Sequence, residues 1–183
     1  MPYSPSCNNV LSNFEADMNY KDINNPSVIL TFPLKSDSKM NFLAWTTTPW
    51  TLPSNLFLAV NPTFDYVQVQ VQGEEKYYIF AEALLADVIK KLKLDGKYEI
   101  VKKYKGTELH GMEYEPLFSE FYKQLYSKGC FRFSSADYLS SSDGTGIVHN
   151  APGFGEDDYS VGLKYKLIET MDLYVLFIMM DGF

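Results

Sequence analysis

At 183 residues the chain is long enough for one well-cored domain and too short for two large ones. A hydrophobic fraction of 46%, with 14 Tyr and 13 Phe, excludes a disordered chain. The net charge of -7 argues against a protein that holds nucleic acid through a broad basic surface, but leaves room for a pocket that takes in one nucleic-acid end.

In chain order, residues 1–27 are turn-rich, with Pro2, Pro5, the Asn8-Asn9 pair and the NNPS turn at 24–27, and read as a linker or a peripheral strand pair. Val28–Phe32 and Met40–Trp45 are strand candidates around an SDSK turn, and Phe57–Val60 is a third that ends in the turn at Asn61-Pro62. Tyr66–Gln72 alternates Val67, Val69 and Val71 with Gln68, Gln70 and Gln72, which predicts a strand with one buried face in an antiparallel or mixed sheet. A turn at Gly73-Glu74 leads to Lys76–Phe80 and completes a hairpin.

The period then changes. Ala81, Leu84, Leu85, Val88, Ile89 and Leu92 share a helical stripe, with Glu82 at its start, Lys90, Lys91 and Lys93 at its end, and Asp95-Gly96 to close it. Tyr98–Tyr104 reads as a strand, 106–116 as a loop, 117–126 as either a short helix or an extended segment, Cys130–Ser134 and Ile147–His149 as strands, and Glu156–Lys166 as a weak helix. The fold class expected is mixed α/β, dominated by strands, with a few peripheral helices.

Several chemistries fail on spacing. Cys7 and Cys130 suit neither a disulfide framework nor a zinc site, and His110 and His149 lack ligand partners at metal spacing. The DYLSSSDGTG run, aligned on Gly144 as a calcium loop, puts Leu139 in the first ligand slot and Asn150 where a glutamate is needed. No P-loop lysine follows GTG and no serine sits in a G-x-S-x-G elbow. The start lacks a basic segment followed by an apolar one, the Asn-Pro-Ser/Thr triplets at Asn25 and Asn61 are blocked by proline, and the longest apolar run, Leu173–Met180, is too short to span a membrane. A soluble cytoplasmic domain is expected.

Two stretches carry chemistry. In Trp45-Thr46-Thr47-Thr48-Pro49-Trp50-Thr51-Leu52-Pro53, strand geometry sends the Thr46 and Thr48 hydroxyls one way and Thr47 the other, while the prolines break regular structure. That makes an irregular wall of hydroxyls and free backbone groups suited to a small polar ligand; it also fits a strand end that uses threonine for its β propensity. In GTGIVHNAPGFGEDD, residues 144–158, small residues allow close backbone approach, His149 shares a strand face with Ile147, and three acids open a helix. Helix capping accounts for the same acids, and a lone histidine is more often structural than catalytic.

With LAWTTTPWTLPSNLFLAVNP and GTGIVHNAPGFGEDDY in this order, the chain resembles the editing domain inserted in the class I synthetases for isoleucine, valine and leucine. The second motif and the opening stretch look most like the cytosolic isoleucyl enzyme of eukaryotes, and the similarity runs from about residue 1 to 169. The resemblance implies a β-barrel editing domain that hydrolyses mischarged tRNA, clearing valine and similar small amino acids from isoleucine tRNA, with the aminoacyl adenylate as a further candidate substrate. A synthetic pocket separates isoleucine from valine by one methylene, worth about 1–3 kcal/mol, so a second sieve is needed.

By the same resemblance Asp158 matches the aspartate that holds the α-ammonium, and His149 the histidine that lines the side-chain pocket. Thr46, Thr47, Thr48 and Thr51 match the wall that positions ester, terminal adenosine and attacking water. Trp50 and Gly144-Thr145-Gly146 shape the cavity. The implied partners are the acceptor 3′ end of isoleucine tRNA and the rest of the parent synthetase; the domain itself is expected to be monomeric and to bind no membrane. No metal or cofactor is implied for editing, because ATP and Mg serve a synthetic domain whose HIGH-type and KMSKS-type motifs are absent from this chain. The chain is read as one domain with a peripheral segment at 1–27, a core at 28–169 and an atypical apolar tail at 170–183 in place of the usual CPVD-like segment. Two alternatives remain: a valyl editing domain that clears threonine, and a tRNA-end-binding module without turnover.

Overall fold

The computed structural model describes residues 3–12, 14, 15, 18, 24, 26–94, 96–118 and 129–168. Within them the β-branched and aromatic runs are extended, as their propensity favours. The strands are β1 (Tyr3–Ser4), β2 (Asn9–Val10), β3 (Val28–Leu34), β4 (Asp37–Thr46), β5 (Phe57–Val60), β6 (Asp65–Val71), β7 (Tyr77–Ala81), β8 (Tyr98–Lys105), β9 (Phe133–Ser135) and β10 (Ile147–Asn150). The helices are α1 (Leu85–Leu92), α2 (Gly106–Leu109) and α3 (Glu156–Lys164), with 3-10 turns at Pro49–Ser54 and Glu82–Leu84.

β1 and β2 pair antiparallel as a two-stranded sheet of their own. The remaining strands make one 8-stranded sheet in the order β8-β6-β7-β4-β10-β5-β9, with β3 also paired to β4. The sheet is curled. Phe42 on β4 and Phe133 on β9 bring their ring centroids to 4.3 Å, although β10 and β5 lie between those strands in the hydrogen-bonded order. Tyr114 packs edge-on against Phe32 at 5.3 Å and Phe131 at 6.2 Å within the same buried cluster. The result is the strand-dominated fold anticipated, a half barrel whose end strands β8 and β9 are not paired with each other.

One edge of β4 carries two parallel partners in succession. Its first half pairs with β7, Phe42 opposite Ile79, and its end pairs with β10, Trp45 opposite Val148. The handover from β7 to β10 is made by the Ala81 amide, which donates to the Thr145 carbonyl at 2.9 Å. It needs Gly146: at φ 72° the backbone is left-handed, and a Cβ there would stand 2.3 Å from the Ala81 Cβ. The buried Tyr66 hydroxyl donates to the Gly146 carbonyl at 2.9 Å and fixes the same crossing from below. Beyond it β4 and β10 run side by side in one direction, and their last residues frame a cleft.

The structure departs from the sequence expectations at several points. Gln68 is buried, so β6 is covered on both faces; the Tyr104 hydroxyl donates to its Oε1 at 2.7 Å and satisfies an amide the alternation assigns to solvent. The turn between β3 and β4 falls at Lys35-Ser36, one residue ahead of SDSK. The loop at 106–116 opens with a helical turn, α2, and β9 starts at Phe133 instead of Cys130. Helix α1 is closed by Lys93 in the left-handed conformation, with the Leu94 amide donating back to the Ile89 carbonyl, and not by Asp95-Gly96. The helix-or-strand choice at 117–126 falls from residue 119 outside the described residues, as does the apolar tail.

Candidate active site

The cleft holds about 290 Å³. That lies just below the ~300–1,000 Å³ of sites that enclose a whole drug-sized ligand, and suits one end of a larger molecule. One wall is Trp45, Thr46, Thr47, Thr48 and Thr51; the other is built from Val148, His149 and Ala151, and from Phe154, Gly155 and Asp158 around the start of α3.

The threonine wall explains its own sequence. β4 stops at Thr46, and Pro49 opens a 3-10 turn in which the Thr51 amide and hydroxyl both donate to the Thr48 carbonyl, at 3.0 and 2.8 Å. The Thr48 amide donates to Thr46 Oγ1 at 3.0 Å. The hydroxyls then form a line, Thr46 to Thr48 at 3.3 Å and Thr48 to Thr51 at 3.4 Å. Thr46 and Thr48 share a side as strand geometry predicts, but Thr47 lines the cleft too, because the backbone has left strand geometry by Thr48, at φ -122° and ψ 64°.

The line ends on His149, whose Nε2 lies 2.9 Å from Thr51 Oγ1. Since the Thr51 proton is directed at the Thr48 carbonyl, Thr51 accepts here and His149 Nε2–H donates. The neutral ring therefore leaves Nδ1 as a bare acceptor, and Nδ1 is buried with no hydrogen-bond partner among the described residues. A second proton on Nδ1 has nowhere to go. Burial accordingly holds the imidazole pKa below its ordinary 6.5, with the nearby Asp158 charge pulling the other way.

The sign of the linkage follows. Just below 6.5 the unfolded chain binds more protons than the folded one, so the contribution of His149 to stability is complete above 6.5 and lost as pH falls from there through the folded value. Urea midpoints of the parent are expected to fall between about pH 7.5 and about pH 5 more steeply than those of His149→Gln. Parallel slopes in the two proteins would show that His149 is not the group responsible.

Asp158 is held by donors of its own wall, at the end of β10 and the residue after it. Its Oδ2 accepts from the Ala151 amide at 2.7 Å, and its Oδ1 accepts from the Asn150 side-chain amide. Glu156 and Asp157 point to solvent in the same first turn, where the helix dipole favours them. Asn150, fully buried, also donates to the Tyr138 hydroxyl at 2.5 Å. Desolvation pushes that phenol up to about 12, with Asp158 adding to the rise, so it stays neutral beside the carboxylate.

Of the residues singled out in the sequence, Thr46, Thr47, Thr48, Thr51, His149 and Asp158 come together in one cleft. Trp50 does not line it and is 66% exposed on the 3-10 turn; the tryptophan of the wall is Trp45. Gly144, Thr145 and Gly146 lie behind the wall, where a Cβ on Gly144 would stand 2.9 Å from the Trp45 ring and Thr145 Oγ1 donates to the Ile147 carbonyl at 3.2 Å. Sequence reasoning missed Trp45, Tyr138 and Asn150. Asn150 stood beside a chosen histidine, but nothing in its spacing pointed to Asp158.

No protein-family model matches the chain. Curated relatives do. It is 51% identical over 172 residues to an isoleucine–tRNA ligase of Tetrahymena thermophila, covering 94% of this chain and 16% of the relative. It is 49% identical over 168 residues to the cytoplasmic isoleucine–tRNA ligase of Saccharomyces cerevisiae (92% and 16%), and 44% over 169 residues to that of Mus musculus (92% and 13%). The chain belongs to the isoleucyl-tRNA synthetase family. It spans only 13–16% of the length of those relatives.

Solved structures place the fold. The editing domain of the P. knowlesi cytosolic leucyl-tRNA synthetase matches with a TM-score of 0.59 at 17% identity, over 73% of this chain and 59% of that one. The P. falciparum counterpart gives 0.52 at 17%, over 73% and 52%. The chain thus has the fold of the synthetase editing domains, and no described helix of it is long and apolar enough to cross a membrane.

Proposed function

We propose that the chain is a hydrolytic proofreading domain of a cytoplasmic isoleucyl-tRNA synthetase, and that its cleft receives the acylated 3′ end of isoleucine tRNA. The substrate class is an ester of valine, or of a similarly small non-cognate amino acid, on the terminal ribose. The observation that carries this reading is the facing pair of walls: a carboxylate oriented by the Ala151 amide and Asn150 on one side, and a line of threonine hydroxyls ending on His149 on the other.

In this reading Asp158 takes the α-ammonium, for which an acceptor-only group already fixed in place is suited. His149 and the apolar Val148 and Ala151 bound the side-chain space. Thr46, Thr47 and Thr48 offer hydroxyls and backbone groups to the ester, the adenosine and a water. The water oxygen adds to the ester carbonyl, the bond to the ribose oxygen breaks, and free amino acid and a tRNA hydroxyl leave. Asp158, occupied by the ammonium, is not the base; rate comes from holding water and ester in attacking geometry. The reaction draws on neither ATP nor Mg, and the parent synthetase supplies most of the tRNA affinity.

The test is deacylation of valine-charged against isoleucine-charged isoleucine tRNA by this chain. Loss of the valyl ester well above the spontaneous rate, with the isoleucyl ester spared, is the expected result. Equal rates on both, or none above background, would overturn the proposal.

A further inference from the structure

The charge of -7 hides a strong segregation. Seven of the 16 basic residues lie between Lys90 and Lys105, against two acids there, Asp95 and Glu99, so the rest of the chain has 9 basic and 21 acidic residues. Lys90, Lys91 and Lys93 are on the last turn of α1 and just past it; Lys97 is in the turn that follows; Lys102, Lys103 and Lys105 are on β8, an end strand of the sheet among the described residues. All seven are exposed.

Each group has a local explanation. Lysines at the end of a helix answer its dipole, and lysines on an edge strand discourage pairing with another chain. Neither explains why two successive elements of an acidic domain present the same charge. Nor are the charges neutralised at home. Lys91, Lys103 and Lys105 meet Asp143, Glu82 and Asp65, but Lys90, Lys93 and Lys97 have no acidic partner within reach among the described residues.

The surface adjoins the cleft. Lys91 Nζ lies 5.7 Å from the ring centroid of Trp45, and Trp45 is a wall of the cleft. The end of α1 therefore abuts the wall against which a bound group would rest. β8 then runs back for eight residues, about 26 Å at strand rise, and brings Lys105 opposite Asp65 at the end of the sheet where Ala81 hands over to β10; that length is long beside the ~3.4 Å of helix axis per phosphate on one strand of a duplex.

We infer that the lysine surface of the α1 terminus and β8 holds backbone phosphates of the RNA whose acylated end enters the cleft. This rests on the proposed function for the partner, and adds to it the side from which the strand approaches. Phosphate contacts of this kind position a nucleic acid without reading its sequence.

The test is the triple variant Lys90→Glu/Lys93→Glu/Lys97→Glu, none of whose positions lines the cleft. Two measurements are made on parent and variant over a salt series: binding of a labelled acceptor-stem minihelix, and hydrolysis of two valyl esters, one on the minihelix and one on adenosine alone. Reversing three phosphate contacts is expected to weaken minihelix binding at least about tenfold and to flatten the salt slope by about 2–3. The minihelix ester is expected to lose kcat/KM through KM, while the adenosine ester, lacking upstream phosphates, is unchanged. Minihelix affinity within twofold of the parent would overturn the surface, whatever the hydrolysis shows. If the parent binds minihelix through these lysines yet cleaves neither ester, it is the hydrolytic reading of the cleft that fails. Matching thermal melts of parent and variant exclude unfolding as the cause.

Discussion

Asp158→Ala is expected to lower deacylation of valine-charged isoleucine tRNA by about 10²–10³-fold, the effect of removing one partner of a desolvated, charge-assisted pair worth about 2–5 kcal/mol. The substitution has a second consequence that must be separated from the first. The Ala151 amide and the Asn150 side chain both donate to Asp158, and both residues are buried, so truncation strands two donors at a cost of about 1–3 kcal/mol each. Asp158→Asn tells the two apart. It keeps the volume and one acceptor oxygen but loses the charge that an ammonium needs. If Asp158 acts on the substrate, the asparagine variant loses nearly as much activity as the alanine variant while recovering part of the urea midpoint. If it only ties α3 to β10, activity follows stability and asparagine restores both. Deacylation by Asp158→Asn within about threefold of the parent would remove Asp158 from the binding role.

The features legible in the sequence are those whose cause is local. The alternation of 66–72, the change to helical spacing at Ala81 and the breaks at Pro49 and Pro53 each act within a few residues, and the strands, the helix and the irregular wall lie where they point. Gly144-Thr145-Gly146 announced close approach, and the structure shows to what: the Trp45 ring and Ala81. What stayed hidden depends on partners distant in sequence. Between Trp45 and Trp50 nothing local decides which faces the cleft; the pairing of Trp45 with Val148, about a hundred residues on, does. Gln68 looked like a solvent residue until Tyr104 of β8 arrived to bond it. Tyr138 sat in a run scanned for calcium ligands, and its value comes from Asn150, twelve positions later, which it shares with Asp158. Net charge conceals its distribution in the same way, because one number averages the lysines of 90–105 with the acids of the remainder.

His149→Ala is expected to cost the cleft its selectivity more than its rate. The imidazole is held by Thr51 Oγ1 in the neutral state and cannot swing away without abandoning the one hydrogen bond it makes among the described residues, so it is a rigid boundary of the side-chain space. Isoleucine exceeds valine by a single methylene, a difference that complementarity alone converts into about 10–200-fold. Exclusion by a fixed wall can exceed that, because an oversized group in a packed site forces strain instead of merely losing contact. With the wall gone, the ratio of valyl to isoleucyl ester hydrolysis is expected to fall by about 10²-fold, mainly through a rise in isoleucyl cleavage. Valyl cleavage should drop only several-fold, since neither Asp158 nor Thr46 to Thr48 depends on the imidazole for its own hydrogen bonds. Thr51→Val supplies the companion test. It keeps the shape of the wall but removes the oxygen that pins the ring, so it should relax selectivity in the same direction and to a smaller extent. A His149→Ala protein that still spares isoleucyl ester as well as the parent does would place the size limit elsewhere, on Val148, Ala151 or Phe154 of the same wall.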